Sequence, residues 1–142
     1  MAAKSISKNF LKTAFCRIIP NTLLAGAVYI ASLAGLQLWA ESRAPKIKSD
    51  SELVAMLGQE KGKLGCSKNI AASIDYGNGS SQSRKVGENK YQIVLNKNDA
   101  DLAVLRHELY HIHAGHAELQ PTFFRYWFLG EPSAILYSAF GK

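Results

Sequence analysis

Cysteine is almost missing from this sequence: Cys16 and Cys66 are the only two among 142 residues, and they form no CxxC pair. The uncharged segment between them would hold them on opposite sides of a membrane if it spans one. No disulfide is therefore expected, and both read as free thiols serving as small apolar filler. The TAFC string ending at Cys16 is a poor lipidation box, because the bulky Phe15 precedes the cysteine. A basic stripe with interleaved aromatics is missing as well. The net charge of +6 owes +4 to Lys4, Lys8, Lys12 and Arg17 in an acid-free start, leaving only +2 for the rest of the chain. Nucleic acid is therefore not expected as a partner. There is no internal repeat or extended low-complexity run, and a chain of this length with 47% apolar residues suits one compact core rather than two domains.

Charge is missing altogether from Ile18 to Ala40. Roughly 20 apolar residues rising 1.5 Å each cross a hydrocarbon core of about 30 Å, whereas a signal-peptide core needs only about 7 to 15. The run 18–40 is read as an uncleaved transmembrane anchor following a basic tail, 1–17. The alternatives are a signal sequence cleaved near Ala40, which the large Leu38 disfavours, and a buried core helix. The acid-free tail slightly outweighs Arg43, Lys46 and Lys48 beyond the run. That balance points to a single-pass protein with its N-terminus inside and an extracytoplasmic domain, or a secreted domain if the signal is cleaved.

Residues 41–48 read as a linker and 49–142 as the folded domain. Ser49-Asp50-Ser51-Glu52 is a capping-box pattern ahead of Leu53, Val54, Met56 and Leu57, predicting a helix to about Glu60 before Gly58, Gly62 and Gly65 loosen the stretch. Ile70 to Tyr76 reads as a strand, Gly77 to Asn89 as a polar loop, and Tyr91 to Asn96 as a clearer strand with alternating Tyr91, Ile93 and Leu95. Asn98 or Asp99 is expected to cap a helix starting near Ala100, with Leu102, Leu105, Leu109 and Ile112 at helical spacing and an end near Gly115 and His116. Residues 122–140 form an apolar, aromatic helical region interrupted by Gly130 and Pro132. Its Phe123, Phe124, Tyr126, Trp127 and Phe128 read first as core, and otherwise as a substrate pocket or a bilayer contact.

The string HELYH at 107–111 carries the chemistry. Residues four apart on a helix lie about 40° apart, so His107 and His111 can address one ion, while Glu108, about 100° round, can reach a metal-bound water as general base. Leu102, Leu105 and Leu109 fall about 160 to 220° from His107, which turns the pair toward a cleft. His113 and His116 fall near 240° and 180°, on or beside the packed back, and read as structural. A zinc site needs a third ligand. Glu131, returning on the next helix, is the leading candidate; His116 would reach the ion only if the helix breaks at Gly115, and Glu118 only through a tight loop.

HELYH followed after 19 residues by Glu131 resembles the gluzincin metallopeptidases, with a thermolysin-like spacing. Glu131-Pro132-Ser133-Ala134 is similar to the ExxA part of their glutamate helix, and HELYHIHAGH resembles an HExxHxxxxH string of membrane-associated members. The chain departs from the family at Ile135, where many gluzincins carry a residue orienting a ligand histidine, and at Pro132, which starts or kinks a helix. The metzincin pattern fits worse, since Ala114 and Ala117 replace its glycine and third histidine. The resemblance covers about residues 91–140 and implies an α+β fold, a minimal zincin-like domain with a small sheet, an HExxH helix and a glutamate helix, which the transmembrane helix read from the apolar run would precede. It further implies a Zn2+ cofactor, ligands His107, His111 and Glu131, Glu108 as base, and hydrolysis of peptide or protein substrates. Tyr126, Tyr137 and Arg125 are candidates for oxyanion stabilisation, and the strand Tyr91 to Asn96 is expected to pair with extended substrate. The alternative is a noncatalytic, membrane-anchored zincin-like binding or interaction protein.

Overall fold

A computed structural model of the chain describes residues 19–118 and 130–141, the side chains of 19–24 excepted. Helix α1 covers Ile19–Arg43 and runs through two compact units, 1–35 and 36–142. In the first unit Val28 and Ile30 are exposed, and Ser32 donates to the Val28 carbonyl at 2.8 Å. Among the described residues no helix is long and apolar enough to cross a membrane, so the anchor expected over 18–40 gains no support here. The basic tail 1–17, with Cys16, lies outside the described residues. In the second unit the last turns of α1 are polar: Gln37 donates to Glu41 at 2.6 Å and accepts from Ser138 at 3.0 Å.

Helix α2, Asp50–Leu64, starts as its capping pattern predicts: Ser49 accepts from the Glu52 amide at 3.3 Å, and Glu52 reaches back to the Lys48 amide at 2.8 Å. It does not stop near Glu60. That residue is 2% exposed and clamped by Arg106 at 2.8 Å and Lys63 at 2.6 Å, and this anchorage carries the helix past Gly58 and Gly62 to Leu64.

Three strands follow, β1 (Asn69–Asp75), β2 (Gln82–Gly87) and β3 (Lys90–Asn96), in the order β1-β3-β2. β1 runs parallel to β3 and β2 antiparallel. Ile70, Ala72 and Ile74 register with Tyr91, Ile93 and Leu95 on one face, where Leu53 and Leu57 of α2 and Leu105, Leu109 and Ile112 complete the core. Two expectations are corrected. The polar stretch 77–89 contains β2, whose turn closes through Asn89 at φ 49°. β3, expected to meet substrate along its edge, is the central strand and has both edges occupied.

Helix α3 spans Leu102–His113, and its cap is Asp101 rather than Asn98 or Asp99: Asp101 accepts from the Val104 amide at 2.9 Å. Asp101 is fully buried and paired with Lys46 at 3.0 Å, while Asp99 accepts from Ser81. The expected linker 41–48 is thus part of the fold, with Leu102 donating to Pro45 and Ile47 to Ala100. Gly115, at φ 80°, ends the run of helical backbone in a conformation that L side chains rarely adopt, and His116–Glu118 forms a 3-10 turn. Helix α4, Glu131–Phe140, begins with Pro132 in its first turn and packs on α3. The described residues therefore form a small α+β fold of four α-helices and a three-stranded mixed sheet.

Candidate metal centre

One turn of α3 separates His107 from His111, and the leucines opposite them fix which way they face. Their rings meet edge to face, centroids 4.7 Å apart, with the two Nε2 atoms at 3.1 Å. Glu131, at the first turn of α4, brings Oε1 to 3.4 Å from His111 Nε2 and Oε2 to 3.5 Å from His107 Nε2. The three side chains could hold a metal ion, their ligand atoms lying within 4.8 Å of one another. Pro132 stands in the first turn of the helix that Glu131 opens.

Burial dominates the electrostatics. It pushes the His107 pKa down to about 4, His111 adds to the effect, and the Glu131 charge opposes it. His107 is therefore neutral at pH 7, the form in which imidazole binds metals. Glu108 points into a cleft of about 190 Å³ that Ser81, Gln82, Ser83, His111 and His116 also line. Burial raises the Glu108 pKa, hydrogen bonds from the side chain and backbone of Ser83 pull it down together with the His111 charge, and Glu131 pushes it up.

The remaining candidates separate clearly. His116 is not on the packed back of the helix: because α3 ends at His113, the ring swings to the cleft and its Nδ1 lies 3.1 Å from Nδ1 of His111. It faces the ring nitrogen turned away from Glu131, so it stands behind the three side chains that could hold an ion. His113 is exposed. Glu118 is engaged elsewhere, accepting from the Tyr91 hydroxyl and from Lys68 at 2.9 Å, with Lys85 at 3.5 Å. Those partners hold its pKa down to about 2. Tyr137 is buried beside the charges of Glu60 and Arg106 and is not among the cleft-lining residues. Arg125, Tyr126 and the aromatic run 123–128 lie outside the described residues. Cys66 is a buried free thiol of the core.

Ser83 escaped the sequence reading because β2 lacks an apolar face; its only signal was a serine pair, Ser81 and Ser83, in a stretch read as loop. Among the described residues nothing bonds to Nδ1 of His107, a buried atom. Compared with known proteins, the chain matches no family model, no curated protein and no solved structure.

Proposed function

We propose that the chain is a zinc-dependent metallopeptidase of the gluzincin kind, with His107, His111 and Glu131 as ligands and Glu108 as general base. The observation that carries this reading is the convergence of three donors, one of which, His111, lines the same cleft as Glu108. Ligands of a tetrahedral ion with bonds of about 2.0 Å lie about 3.3 Å apart. Here the two Nε2 atoms are 3.1 Å apart, each lies 3.4 to 3.5 Å from a different oxygen of Glu131, and with one ligand atom per residue the set lies within 4.8 Å. Two imidazoles, that of His107 neutral, and a carboxylate brought together suit a cation, and three protein ligands with one open position is the composition of catalytic rather than structural zinc sites.

When bound, zinc supplies a Lewis acid that brings the pKa of a water toward about 7 and polarises a carbonyl. Glu108, made more basic by burial and steadied by Ser83, takes a proton in the cleft and returns it to the leaving amine. The outer edge of β2, which has no strand partner among the described residues, offers main-chain groups to an extended peptide. Attachment to a membrane through 18–40, with the domain outside the cytoplasm, is the part of the proposal resting on sequence alone. Resistance of the full chain to carbonate extraction from membranes tests it, and release would remove it.

Glu108→Gln tests the chemistry, read by mass spectrometry on a mixture of unmodified decapeptides. Cleavage by the native chain that is lost in a variant still binding zinc supports the peptidase. Cleavage unchanged in Glu108→Gln rejects the mechanism. The small cleft volume favours the second reading, a noncatalytic zincin-like binding protein, and zinc binding without cleavage by the native chain would select it.

A further inference from the structure

We infer that His116 is the positioning residue of His111 and that Gly130 is the seat that lets it act, an inference resting on the reading of His107, His111 and Glu131 as a metal centre. An imidazole that binds metal through one nitrogen carries its proton on the other, and the partner of that second nitrogen sets ring orientation and tautomer. On His111 the Nε2 atom faces His107 and Glu131, so Nδ1 carries the proton. The atom before it, at 3.1 Å, is Nδ1 of His116, which therefore accepts and keeps its own proton on Nε2. One hydrogen bond thus fixes both tautomers and stops His111 from rotating its lone pair away from the ion. His111 is 5% exposed, so water has little room to replace this partner.

Three features bring the His116 ring to that place. Gly115, at φ 80°, breaks the helical run of α3 before His116. Two residues past His116, Glu118 ties the 3-10 turn to the sheet through Tyr91, Lys68 and Lys85. On the other side the ring lies against Gly130, where a Cβ would stand 3.2 Å from Cε1 and 3.3 Å from Nδ1 of His116. The Gly130 backbone, at φ −75°, is open to any residue, so the requirement is for space. Because Gly130 immediately precedes Glu131, the seat for the positioning ring and the third ligand belong to one turn of chain. Within the ligand pair the support is one-sided: among the described residues His107 Nδ1 has no such partner.

The test is zinc affinity of the purified full chain in detergent, by competition with a chromogenic chelator, with the cobalt(II) absorption spectrum as a second readout of ligand geometry. His116→Leu, which keeps bulk and loses the acceptor, is expected to weaken zinc binding about 10- to 100-fold and to alter the cobalt bands. His116→Asn, whose Oδ1 accepts from nearly the same place, is expected to stay within about threefold of the native value. Gly130→Ala falls between them. Native affinity in His116→Leu overturns the inference, and so does a loss in His116→Asn as large as that in His116→Leu. Failure of the native chain to bind zinc overturns the metal centre itself, a result visible before any substitution is made.

Discussion

The guanidinium of Arg106 grips the carboxylate of Glu60 through Nε at 2.8 Å and Nη2 at 3.2 Å, joining α3 to α2 one residue before His107. Glu60 is 2% exposed, and the group that holds it also supports the helix that carries the site. Removing Arg106 leaves the buried carboxylate with Lys63 alone, which costs more than the pair contributes when intact. Arg106→Met is expected to lower unfolding free energy by about 3 kcal/mol in urea titrations. Glu60→Met with Arg106→Met is expected to cost less than the sum of the two single changes. Additive losses would show that the two groups act independently.

Acid should weaken the zinc-free protein in two stages. His107 titrates near 4 when folded against 6.5 as its model value, so the unfolded chain binds the proton first and stability falls as pH drops from about 6.5 toward 4. Glu60 and Glu118 are both lowered, Glu118 to about 2 from 4.5, so their contributions are present above 4.5 and fade as pH falls below it. Glu108, whose pKa is raised, acts in the opposite direction. Thermal unfolding in chelator from pH 7.5 to 3 measures this. His107→Gln should flatten the upper stage and leave the lower one, and Glu118→Gln should soften the lower one.

Zinc should staple α3 to α4, because two donors lie on one helix and the third on the other. A ligand that binds only the folded form at 100 times its dissociation constant stabilises by about 2.7 kcal/mol. The unfolding midpoint is therefore expected to rise on adding zinc and fall back with chelator. Glu131→Ala should lose most of that rise with little change in the metal-free midpoint. An undiminished rise in Glu131→Ala would remove this residue from the ligand set.

Much of this site was legible because it is local. HELYH fixes the relation of His107, Glu108 and His111 by helical spacing alone, and the leucines on the opposite face told which side would be buried. Glu131 was named from its distance along the chain, its placement left to Pro132, and it does lie beside both imidazoles. What stayed hidden depends on where helices stop and which strand lies outermost. His116 looked structural because extrapolating α3 through Gly115 puts it on the back, whereas a single left-handed residue moves it to the cleft. β2 gave no period-two signal, since one face meets water and the other carries Ser83 and Lys85 instead of core residues. Asp101 outcompeted Asn98 and Asp99 as cap because its ion pair with Lys46 is made with a segment read as linker.

Ser83 should matter through the acidity of Glu108. Its hydrogen bonds lower a pKa that burial raises, so Ser83→Ala lets that pKa climb further. The acidic limb of the kcat/KM profile for peptide cleavage is then expected to move to higher pH, with the loss largest below neutrality and shrinking as pH rises. A uniform loss at every pH would mean that Ser83 serves only to shape the cleft.

The zinc content of the purified full chain, measured by mass spectrometry of the metal after zinc supplementation and removal of excess, bears most directly on the metal centre. The account predicts about one zinc per chain in the native protein, falling severalfold in His107→Ala, His111→Ala and Glu131→Ala, as expected for a site that needs all three protein ligands. Less than about half an equivalent in the native protein, or full occupancy in all three variants, would contradict it.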